Sequence, residues 1–103
     1  MVNNKYFKEI EDYVNNDVAA YACKIENIES IRCARKTNSI YMELIHEDGV
    51  VRYFNISSLD ISSIGIMIGC IIANSTIKLE ITDREEKKDI RKLFRQVDFK
   101  WKD

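Results

Sequence analysis

DVAAYACKIENIESIRCARK, residues 17–36, decides the fold, because every neighbouring element must be arranged around whatever this stretch forms. Asn16 or Asp17 is a good helix cap, and Ala20, Cys23 or Lys24, Ile28, Ile31 and Ala34 or Arg35 recur near one side at helical spacing. That spacing predicts a long amphipathic helix to about Lys36, ended by Asn38 and Ser39. The segment before it, Lys5 to Val14, has two readings. Phe7, Ile10 and Val14 suit a helical face, whereas Tyr6, Phe7, Tyr13 and Val14 suit a strand. A strand is expected here, since it enlarges the sheet that the helices must cover.

Downstream, Ile40, Met42 and Leu44 alternate with Tyr41 and Glu43, and Val50 to Ile56 is rich in β-branched and aromatic residues. Asp48-Gly49 between them is a two-residue turn signal, so residues 39–56 read as an antiparallel hairpin. The apolar run ISSIGIMIGCIIANS, residues 61–75, reads as a short helix. Its core, Ile64 to Ala73, is ten residues long, half of the roughly 20 that a membrane-crossing helix needs. Gly65 and Gly69 have the G-x-x-x-G spacing that lets a helix approach a neighbouring backbone closely. Ile77, Leu79 and Ile81 then alternate as a strand. Thr82 with Glu85, and Asp83 with Glu86, have capping-box spacing before Ile90, Leu93, Phe94, Val97 and Trp101 at helical intervals.

The expected order is strand, helix, strand, strand, helix, strand, helix. In such an α+β chain a four-stranded, mostly antiparallel sheet carries three helices on one face, as a two-layer open-faced sandwich. The ferredoxin-like split βαβ layout and the open-faced sandwich of the histidine-containing phosphocarrier protein, HPr, both have this order. With 103 residues, no proline and no low-complexity tract, residues 1–103 form one domain without a linker.

Composition narrows the chemistry. Sixteen Lys and Arg against 17 Asp and Glu give a net charge of -1, which disfavours nucleic acid as the main partner. Cys23, Cys33 and Cys70 are odd in number and far apart, which fits neither a disulfide framework nor a metal site and suits a reducing, cytoplasmic compartment. No secretory signal pattern opens the chain, and no cofactor is expected. A single histidine, His46, leaves no Ser-His-Asp arrangement, and there is no Gly-rich phosphate loop. Arg52-Tyr53-Phe54 puts aromatics on a strand, as RNA-recognition sheets do, but without their glycines or a basic surface these rings read as packing.

Several stretches resemble HPr. ARKTNSIYME from Ala34 is similar to the passage where the first long HPr helix ends, A-S-K-F-N-S. SSIGIMIGCIIANSTIKLEIT resembles the block S-I-M-G-V-M-S-L-G-I-x-x-G-A-x-I-x-I, with Gly65 and Met67 on its glycine and methionine. The resemblance implies the HPr fold and a place in the sugar phosphotransferase system. The phosphoacceptor motif G-[LI]-H-A-R-P-A, however, falls on Asp17 to Cys23, with alanine (Ala19) in place of the histidine and tyrosine (Tyr21) in place of the arginine. Alanine carries no nucleophile, so the implied protein is noncatalytic. The regulatory serine of the family falls on Ser62 or Ser63, which are also natural helix caps.

On a helix, the apolar run has more apolar directions than one interface needs. Either it is sunk in the core or it is a docking patch, for which Ile64, Ile66, Met67 and Cys70 are the partner-binding candidates. The expected function is therefore a noncatalytic, HPr-like protein-binding or regulatory domain. The alternatives are a ferredoxin-like small-ligand sensor that pairs through its sheet, and an inhibitor of a host enzyme encoded by a mobile element.

Overall fold

In the computed structural model the protein is described over residues 4–22, 27–73 and 78–102. It is an α+β chain with a three-stranded antiparallel sheet. The chain opens with one continuous helix: α1 (Asn4–Asp12), a wide π-helical segment (Tyr13–Val18) and α2 (Ala19–Ala22). Three strands follow, β1 (Ile28–Lys36), β2 (Ser39–His46) and β3 (Val51–Asn55), and then α3 (Ile61–Ile72) and α4 (Arg84–Lys102). Among the described residues the order is thus helix, three strands and two helices, where βαββαβα was expected.

The correction starts at the N-terminus. Phe7, Ile10, Val14 and Val18 are all buried, and their steps of three and four put them on one helical stripe. A strand would have sent Phe7 and Ile10 to opposite faces. Within the wide segment the Ala19 N–H reaches back to the Val14 carbonyl, five residues earlier, as well as to that of Asn16.

The expected long helix is helical over its described first residues, to Ala22, and its second half is β1. Ile28 and Ile31 sit three apart, which looks helical. Here a bulge between Ile28 and Ser30 inserts one residue into the β1–β2 register, so both isoleucines reach the same core. Cys33 and Ala34 are adjacent and both buried because this sheet is covered on both faces, which removes the alternation that marks a half-exposed strand. Cys23 lies outside the described residues.

The hairpin forms as expected from its pattern, with Met42 opposite Phe54 and Glu43 opposite Tyr53. Its turn is longer than two residues. The Gly49 N–H donates to the His46 carbonyl (3.0 Å), the His46 N–H donates to the Val50 carbonyl (2.9 Å), and only Gly49 takes positive φ (+92°). That is a three-residue loop closed by a left-handed glycine.

The expected fourth strand reduces, among the described residues, to one bridge between Phe54 and Glu80. The Asn55 N–H donates to the Leu79 carbonyl and the Ile81 N–H to the Tyr53 carbonyl. Ile77 lies outside the described residues. Asp83 then caps α4, its Oδ2 accepting from the Glu86 N–H at 2.9 Å, the second of the two expected capping pairs. Ile90 and Phe94 are buried on α4 and Leu93 is half-buried; the side chains of Val97 and Trp101 lie outside the described part.

The helices occupy both faces of the sheet rather than one. Phe7, Ile10, Val14, Ile64, Ile68 and Ile71 pack with Ile31, Met42, Leu44 and Phe54. Ala34 and Tyr53, on the opposite pleats, pack with Ile90 and Phe94 of α4. A buried polar row runs across that second face: Arg32 stands opposite Glu43, and Glu43 opposite Tyr53. The Arg32 Nε donates to Glu43 Oε1 at 2.8 Å, and its guanidinium lies 5.3 Å from the Phe94 ring centroid.

A candidate docking groove beside the glycine helix

The apolar run forms α3 as the sequence indicates, but its cap is Asp60 and not a serine. Asp60 Oδ1 accepts from the Ser63 N–H at 2.8 Å. The Ser63 backbone and side-chain hydrogen bonds hold the Asp60 carboxyl below the usual carboxylate range. Ser62 and Ser63 therefore occupy the first turn, exposed and half-buried respectively, beside an existing negative charge.

The four partner-binding candidates divide. Ile64 and Met67 are core residues, 0% and 6% exposed, and cannot meet a partner while the domain is folded. Ile66 is 71% exposed, and Cys70 is partly so. The run is thus buried along one side and uncovered along another, because a helix packs only one side against the sheet and α3 is apolar in most directions.

Next to Ile66 the outer side of α3 forms one wall of a groove of about 230 Å³, whose other wall is the N-terminal helix. Tyr13, Val18, Tyr21, Gly65, Ile68 and Gly69 line it, with Asp17 at its edge. The glycines keep it open. A Cβ on Gly69 would meet nothing within 4 Å, and one on Gly65 would meet only the Tyr13 hydroxyl at 3.7 Å. Tyr21, 61% exposed, stands at the groove as a second uncovered apolar side chain. The groove's N-terminal wall was not legible as a site in the sequence. In the sequence Tyr21 is marked only as the residue in place of an arginine, and a strand over Lys5 to Val14 sets Tyr13 apart from α3.

Neither Ala19 nor His46, Cys33 or Tyr6 lines this groove. Ala19 lies inside a continuous helix rather than at a helix start. His46, where β2 enters its turn, has Nδ1 3.3 Å from the carbonyl of Asn27, beyond the carboxyl end of the N-terminal helix. Cys33 is buried, and that burial pushes its thiol well above the usual range. Tyr6 donates to the Leu59 carbonyl at 2.6 Å, and desolvation, with Asp60 and Glu9 nearby, raises its pKa. Among the described residues no group of three or more His, Cys, Asp or Glu could hold a metal ion. Among the described residues no helix is long and apolar enough to cross a membrane. Compared with known proteins, the chain matches no family model, no curated protein and no solved structure.

Proposed function

We propose that this chain is a noncatalytic protein-binding domain whose partner docks in the groove between the N-terminal helix and α3. The observation that carries this reading is Ile66, a large aliphatic side chain 71% exposed beside a channel floored by two glycines. Covering a side chain of this size fully is worth about 1.5–3 kcal/mol, enough to make it the anchor of an interface. A glycine floor admits the backbone or a short apolar knob of a partner helix. The proposal keeps the docking-patch reading of the apolar helix. It needs neither the HPr order of elements nor a histidine, and Ala19 supports the noncatalytic part because it has nothing to phosphorylate.

The test uses a photo-crosslinking residue at position 66 of the full chain in cells. One discrete adduct is expected, and it should disappear when Gly69→Leu fills the groove. The same residue at position 88, on the opposite layer, should not give that adduct. An adduct indifferent to Gly69→Leu would defeat the groove as the docking site. Separately, incubation with phosphoenolpyruvate and the first kinase of the phosphotransferase system should leave no acid-labile phosphate on the chain; stable labelling would defeat the noncatalytic reading.

A further inference from the structure

The net charge of -1 conceals a partition. α4 holds eight of the chain's 16 Lys and Arg but only four of its 17 Asp and Glu, a net +4, leaving -5 for everything else. α4 packs on one face of the sheet, whereas exposed Glu9, Asp12 and Asp17 belong to the helix on the other. The two layers stand roughly 20 Å apart across the sheet. Salt at physiological strength screens charges beyond about 8 Å, so the acidic layer does not cancel the basic one locally.

The cations on α4 are also ordered. Arg84, Lys88, Arg91 and Arg95 follow steps of four, three and four residues, which keeps them within about 60° of arc over roughly 16 Å of helix. All four are exposed. Lys88 has Glu85 at 3.9 Å, an exposed pair that holds its charge only weakly, and Arg91 is near enough to the Tyr53 hydroxyl to favour its ionised form. Glu85 and Asp89 fall to one side of the line of cations. Three of the four are arginines, whose planar fork suits phosphate oxygens.

From this spacing and charge we infer that the Arg84–Lys88–Arg91–Arg95 stripe of α4 binds the phosphate backbone of nucleic acid, independently of base sequence. The ligand is a line of negative charges at regular intervals, and the stripe is a line of cations matched to it. This surface is on the other layer from the groove, so the two can be occupied together.

Fluorescence anisotropy of the full chain with a labelled DNA duplex of about 24 base pairs tests the assignment. Binding is expected at about 50 mM salt, with a slope of log K against log salt of about -3 to -4, so that affinity falls about 100-fold by about 200 mM. Lys88→Glu with Arg95→Glu should abolish binding while circular dichroism and melting temperature stay unchanged. Lys8→Glu with Lys78→Glu, an equal change in net charge away from α4, should retain most of it. Absence of binding at low salt would overturn the proposal. So would equal loss in both double variants, or binding to vesicles of phosphatidylserine and phosphatidylcholine without binding to the duplex.

Discussion

Asn15 completes the outer edge of β1 at Cys33. Its Oδ1 accepts from the Cys33 N–H at 2.8 Å, and its Nδ2 donates to the Cys33 carbonyl at 3.3 Å. One side-chain amide thus takes both bonds that a neighbouring strand would make, at a residue whose side chain is buried. Asn15→Leu removes both bonds, and a loss of about 2–3 kcal/mol is expected from the unsatisfied backbone pair. Urea unfolding measures it; a loss below about 0.5 kcal/mol would mean that water already serves that edge.

Glu43 is the only buried charged residue among those described, and Arg32 neutralises it across the strand pair. Glu43→Leu removes a close counter-charge from the guanidinium half-covered beneath Phe94, and should cost about 3 kcal/mol. Replacing both, Arg32→Met with Glu43→Leu, should recover most of that loss. A double-mutant cycle with no coupling would show that solvent, and not Glu43, stabilises Arg32.

Asp60 gives a pH signature with a definite sign. Its folded-state pKa lies below the unfolded value, so the stability it contributes is complete above the ordinary carboxylate range and is lost as pH falls through the folded value. The urea midpoint of the native chain should therefore drop more steeply below about pH 4 than that of Asp60→Asn, which keeps a cap that does not titrate. At pH 7 the two midpoints should be close. Parallel acid limbs would remove Asp60 as the source.

Gly69 sits in a helix interior with open space where a Cβ would be. Gly69→Ala should stabilise the domain by about 0.8–1 kcal/mol through helix propensity alone. The same change narrows the groove. Higher thermal stability together with weaker crosslinking from position 66 is the expected pair of results, and a destabilised variant would mean that the glycine is required by the fold.

How far the sequence could be read depended on how each element is buried. The β2–β3 hairpin and α4 were legible because their patterns agree with a single period and a recognisable turn or cap, and α3 because its apolar run is nearly unbroken. The first third was not. In β1 the bulge at Ile28 to Ser30 imitated helical spacing, and burial of both faces erased alternation at Cys33-Ala34. Before it, Phe7, Ile10 and Val14 did carry the helical stripe, but the demand for a fourth strand outweighed it. For the site, α3 was found from its sequence, whereas Tyr13 and Tyr21 emerge only once the N-terminal helix is folded beside it.

The wide turn at Tyr13–Val18 has a directional effect on Tyr21. In a regular α-helix, Tyr21 would share the inward meridian of Phe7, Ile10 and Val14. The looser winding accumulates an angular lag of about one residue, roughly 100°, by the end of the segment. Tyr21 is thereby swung outward to the mouth of the channel. The ring's availability is set by a miscount in the helix before it, so shifting the phase of that winding would retract the ring without altering one atom of the tyrosine.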